Sequence, residues 1–106
     1  PEIIQDNDEA CAYYGVTKPY LMQYDIKSGQ VEVIAAETAL AVQQIIDKHW
    51  KVDVWFDEDA KKAIIDDIDD FLYDELKTKF NVSLSLEHMD EIINKTIQVA
   101  KHRRQS

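Results

Sequence analysis

Nine carboxylates fall between Asp57 and Glu75, with only Lys61 and Lys62 among them. Carboxylates at that density are the raw material of a divalent-metal site, a general acid–base pair or a nuclease centre, so their spacing decides. A calcium loop takes oxygen ligands at its first, third and fifth positions, glycine at the sixth and glutamate at the twelfth. Counted from Asp67, the third position is Asp69, but the fifth is Phe71, the sixth Leu72 and the twelfth Thr78. A di-metal bundle site needs Glu-x-x-His on facing helices with ligands turned inward, and no such pair occurs. "ELK" at Glu75–Lys77 has the spacing of the acid-x-Lys half of a nuclease motif. That motif requires a strand, because on a helix residues i and i+2 point about 200° apart.

The segment that must position these acids reads as one long helix. At 100° per residue, Ala60, Ile64, Ile65, Ile68, Phe71, Leu72 and Leu76 share an arc, while Asp66, Asp67, Asp69, Asp70 and Asp74 face outward. Asp66, Asp70 and Asp74 align at i, i+4 and i+8, where like charges cost a few tenths of a kcal/mol per pair. The expectation is a solvated acidic face without a metal. Glu75 interrupts the apolar arc. It is either a buried general acid or base of raised pKa, or a carboxylate paired with Lys79; the pairing is favoured, since no nucleophile or catalytic histidine can be placed beside it.

The remaining reactive side chains are scattered. Cys11 is the single cysteine, so it forms no internal disulfide and has no partner for zinc. His49 falls in the last turn of a helix, where the dipole favours a cation, and His88 and His102 fall on polar arcs expected to be exposed. Trp50, Trp55 and Phe56 read as the largest core pieces, with interface anchors as the other reading. Lys101, Arg103 and Arg104 complement the negative end of the last helix, or meet an acidic partner or a phosphate backbone. Arg104 lies on the apolar arc, so the helix should have frayed or met another segment there.

Four helices are expected to carry these residues. The first spans "DNDEACAYYGVTKPYLM" from about Asp8, capped by Asp6 or Asn7, with Gly15 and Pro19 ending or kinking it. "YDIKSGQ" is a loop. The second runs from about Val31 to His49 on a face of Ile34, Ala35, Ala39, Ala41, Val42, Ile45 and Ile46. "WKVDVWF" reads as an extended aromatic connector, since it alternates like a strand but has no second strand to pair with. The acidic helix follows from Asp57 or Glu58 to about Lys79, about 30–35 Å long. After "NVSLS", Ser85 caps a last helix from Leu86 to about His102, with Met89, Ile92, Ile93, Thr96, Ile97 and Ala100 as its buried stripe. The fold class expected is all-α: a single-domain small bundle of about four helices.

Bulk composition agrees. With 106 residues, 45% of them hydrophobic, the chain supports one modest core, and two glycines and two prolines leave few hairpin turns. The net charge of −9 repels nucleic acid, so direct DNA binding is disfavoured. No apolar run reaches the ~20 residues of a spanning helix. A cytoplasmic setting is expected from the lone cysteine. Pro1 in place of methionine is expected of a fragment of a larger chain.

The segments "DEACAYYGVTKPYL", "IDKHWKVDVWFDEDAKKAIIDDIDDFLYDEL" and "MDEIINKTIQVAKHRR" resemble the C-terminal helical region of the restriction (R) subunit of type I restriction–modification enzymes. The likeness runs from about Asn7 to Arg104 as ordered segments, with no catalytic signature in them. It implies a parent that uses ATP and Mg to translocate DNA and then cleaves it, and a helical part that docks this motor on the methyltransferase core. No phosphate loop, helicase acidic box or nuclease strand pair is present, so no catalytic residue, metal or cofactor is carried over. The expected role is non-catalytic docking on the methyltransferase core or on neighbouring motor domains. The expected contacts are Trp55, Asp66, Asp70 and Asp74, then Lys101, Arg103 and Arg104. The rival readings are a free-standing acidic mimic of DNA or a protein-binding module, and an enzyme centred on Glu75.

Overall fold

A computed structural model describes residues 1–105. Helix α1 is Asp8–Leu21 and α2 is Gln30–His49. Helix α3 covers 58–80 in three parts: α-helix Glu58–Asp70, a π turn Phe71–Glu75 and α-helix Leu76–Phe80. Helix α4 is Leu86–Arg103. Short 3-10 turns lie at Glu2–Ile4 and Val54–Phe56. Among the described residues there is no strand.

Local chemistry sets the boundaries. Asn7, Asp57 and Ser85 each cap a helix by accepting from the amide three residues on: Ala10 at 3.0 Å, Ala60 at 3.0 Å and His88 at 3.1 Å. Gly29 starts α2 at φ 89°, a left-handed conformation that favours glycine. Asn81, also left-handed at φ 58°, ends α3, and its amide returns to the Lys77 carbonyl at 3.0 Å. Neither Gly15 nor Pro19 ends α1, although ending it was one of the two outcomes expected of them. Pro19 lies in the last turn, where its ring removes one intrahelical bond and the chain still reaches Leu21.

The helices close into a ring: α1 packs on α2 and α4, and α3 packs on α2 and α4. Between them lies one core of Tyr13, Leu21, Ile34, Val42, Ile46, Ile64, Ile68, Leu72, Leu76, Met89 and Ile92, together with smaller residues. All six stripe residues expected on the last helix are buried. Thr17, Thr38 and Thr96 are buried too, and each hydroxyl donates to a backbone carbonyl one turn back, at 2.8–3.0 Å.

Two expectations are corrected. The aromatic connector is wound into a 3-10 turn, with extended backbone at Trp50 and Asp57 on either side. Its buried residue is Val54; Trp50 and Trp55 are half-buried, and Phe56 is 84% exposed rather than core. The second correction concerns Glu75, which is exposed instead of sitting in the apolar arc. The buried residues of α3 are Ile64, Ile68, Leu72 and Leu76, four apart throughout. In an α-helix that spacing drifts by about 40° per step, and a π turn, with more residues per turn, takes the drift back. Leu76 is thereby returned to the core, and Glu75 turns to solvent.

Candidate docking surface

From Asp66 to Glu75 the acids of α3 fall into three groups once folded: two paired with cations, the clustered Asp69, and three exposed ones. Asp66 pairs with Lys62 one turn earlier at 2.7 Å. Asp67, expected to face outward, turns toward the end of α2, where its Oδ2 lies 2.7 Å from His49 Nε2 and 3.7 Å from Lys48 Nζ. His49 therefore has the carboxylate partner that its place at a helix C-terminus leaves room for. Asp69 is half-buried, and its carboxyl is pushed above the usual aspartate range by burial first, then by Asp70, Asp90, Asp66 and Asp74.

Asp70, Asp74 and Glu75 form the third group. Among the described residues none of the three has a cation within salt-bridge distance. Lys79, the expected partner of Glu75, instead reaches across to Glu37 of α2 at 2.5 Å. The three acids line a shallow groove of about 500 Å³ between α2 and α3. Its apolar floor includes Ala41, Ile45 and Phe71, of which Ile45 and Phe71 also rest on the core. Among the described residues Lys48 is the one cation along it. The π turn shapes this groove, since it supplies both Phe71 and the outward-turned Glu75.

The other expected contact residues are dispersed. Trp55 meets Trp50 edge-on at 6.0 Å between ring centroids, and its buried Nε1 has no acceptor among the described residues. The neighbouring aromatic, Phe56, is the one offered to solvent, beside exposed Val52. Lys51 and Asp57 pair directly across the same turn. Lys101 is half-buried and Arg103 exposed; among the described residues neither is in an ion pair.

Arg104 is committed internally. Its guanidinium makes two bonds to Glu9, at 2.7 and 3.0 Å, and one to Asp47 at 2.5 Å, and it lies 5.2 Å from the centre of the Trp50 ring. Glu9 also accepts from Tyr13 Oη at 2.7 Å and from Gln43 Nε2 at 3.3 Å. Burial alone raises the Glu9 carboxyl, but the bonds from Arg104 and Tyr13 outweigh it and hold the group below its ordinary value. Burial, and then Glu9, push the Tyr13 phenol far upward. The apolar position of Arg104 was the sequence signal for this cluster; nothing in the sequence pointed to Glu9 as its partner.

A second polar cluster was missed. His88, expected to be exposed, is half-buried, with its Nδ1 2.7 Å from Tyr24 Oη and its ring edge-on to Tyr20 at 5.2 Å. Tyr24 Oη also accepts from the Ser85 amide at 2.8 Å. The loop after α1 is thus fastened to the start of α4.

Chemically, the α2–α3 groove offers fixed negative charge around an apolar floor. Among the described residues no three His, Cys, Asp or Glu side chains gather as a metal-holding set, and no helix is long and apolar enough to cross a membrane. No protein-family model, curated protein or solved structure matches this chain.

Proposed function

We propose that this chain is a non-catalytic assembly and docking domain of a type I restriction motor subunit. On this reading it holds the motor to the methyltransferase core or to neighbouring motor domains. The family assignment rests on the sequence resemblance. The docking role is supported by one observation above the rest: Asp70, Asp74 and Glu75 line an apolar floor with no cation in salt-bridge distance among the described residues, while Asp66, Asp67 and Glu37 nearby are each paired. Charge left unpaired on a folded surface is available to a partner and guides its approach. The net charge of −9 favours a protein partner over DNA. ATP and Mg belong to the parent subunit on this reading, and cytoplasmic location follows from the same assignment.

The test is a pull-down of the domain against purified methyltransferase core, at low and at moderate salt. Binding that weakens with salt, and is lost in an Asp70→Asn, Asp74→Asn double variant of unchanged helicity, is the expected result. No binding to the core at either salt, together with none to the upstream motor domains, overturns the assignment.

A further inference from the structure

Within that docking reading, we infer that the α2–α3 groove receives two turns of a lysine- or arginine-bearing amphipathic helix from the partner protein. The length comes from the walls. The groove is lined from Ala41 to Lys48 on α2 and from Asp67 to Glu75 on α3. At the helical rise these stretches are about 10–12 Å long, which matches two turns of a third helix laid alongside. Helix-in-groove recognition uses apolar anchors at i, i+3 or i+4 and i+7. Ile45 and Phe71 are the two large apolar side chains that meet such anchors, because each is partly exposed while resting on the core.

The charge of the occupant follows from the rim. Asp70, Asp74 and Glu75 face the groove with no cation partner among the described residues, and Lys48 lies near Asp67, which His49 already engages. A helix with cations flanking its apolar stripe completes these pairs, whereas an acidic or neutral one leaves three carboxylates beside an apolar contact at a desolvation cost. A second copy of this chain fits poorly. Two copies meet with −9 on each, and of the basic residues near the end of α4, Arg104 is already held by Glu9 and Asp47.

The experiment uses the full chain and a synthetic probe. The probe is a peptide of about 14 residues, four turns, with leucines on one face and lysines elsewhere. A peptide of identical composition, reordered so that leucines are spread around the helix, is the control. Titration is followed by backbone amide shifts. The expected result is shifts centred on Ile45, Phe71 and Asp74, with affinity about ten-fold above the reordered peptide. Affinity should also fall about ten-fold in the Asp70→Asn, Asp74→Asn, Glu75→Gln variant, whose fold is checked by its unperturbed core signals. Equal binding of the two peptides, or shifts spread over Asp66 and Asp90, overturns the inference in favour of diffuse charge attraction. Self-association of the chain through the same residues overturns it in favour of a second copy. Because the probe is not the methyltransferase core, this result stands apart from the pull-down. Groove binding with no binding to the core or to the upstream motor domains removes the family assignment, and the reverse removes the groove.

Discussion

Arg104 Nε donates to Glu9 Oε2 at 2.7 Å, so the residue that caps the last helix holds the opening turn of the first. The same guanidinium bonds Asp47 near the end of α2. Three of the four helices thus meet at one side chain, and the basic tail becomes a structural tie at the residue where the apolar stripe called for contact.

Replacing Arg104 with Met should cost about 2 kcal/mol near neutral pH, since a largely buried carboxylate loses its charged donor while some packing on Trp50 is kept. The pH dependence has a definite sign. Glu9 lies below its ordinary 4.5 in the native state, so the unfolded chain takes up a proton first as pH falls. Its contribution is complete above 4.5 and is lost on acidification through the folded value. Urea unfolding of both proteins across this range should show the difference shrinking toward acid. A constant difference would mean that Arg104 acts by packing alone.

Asp69 runs the other way. Its carboxyl is raised by burial and by four neighbouring aspartates, so the native state pays to ionise it at neutral pH. Asp69→Asn should stabilise the fold by a few tenths of a kcal/mol, as expected for a largely solvated like-charge cluster. The gain should fade as pH drops toward 3.8, where the native aspartate is protonated anyway. Thermal unfolding of the two proteins at both ends of that range checks it, and a gain that grows toward acid counts against this account.

The main outline was legible because helical spacing carries it. Each residue of the α4 stripe, Met89 through Ala100, was readable at a period of 3.6 and is buried. Ile64 and Ile68 were readable in the same way. The reading failed at Glu75 because a uniform period was carried through a segment whose buried residues, Ile64, Ile68, Leu72 and Leu76, recur every fourth position. A spacing of four also fits an ordinary α-helical stripe, so no local pattern marked the π turn. Phe56 was misplaced because size argues for burial only where the backbone can aim the ring inward, and the 3-10 turn gives that direction to Val54. The Glu9–Arg104 and Tyr24–His88 contacts join residues 95 and 64 positions apart, and no local pattern encodes such pairs. The groove was half legible: Asp70 and Asp74 could be read, but not the separation of Asp66 nor the floor beside them.

The Tyr24–His88 link should hold the 22–29 loop in place. Tyr24→Phe removes a hydroxyl that accepts from the Ser85 amide and touches His88 Nδ1, at the cap of α4. The expected loss is about 1 kcal/mol, the usual net value of a partly exposed hydrogen bond. Faster amide exchange should be confined to the loop and the first turn of α4. Protection left unchanged at Ser85 and His88 would show that the hydroxyl does not fasten the two segments.

The π turn gives the sharpest test of register, because it predicts opposite outcomes for adjacent residues. Leu76 is fully buried and Glu75 is exposed. Leu76→Ala should cost about 2–5 kcal/mol by opening a cavity beside the core. Glu75→Ala should change stability by less than about 0.5 kcal/mol, as surface substitutions do. An unbroken α-helix puts Glu75 seven residues after Ile68 on the core face, where removing a buried carboxylate shifts stability markedly. Chemical denaturation of the two variants side by side therefore reads the register directly. A neutral Glu75→Ala also argues against a buried acid–base centre at this position, because a carboxyl held in an apolar site does not leave stability untouched when it is removed. If the leucine variant were mild and the alanine at 75 costly, the turn, the outward carboxylate and the groove built on both would have to be abandoned together.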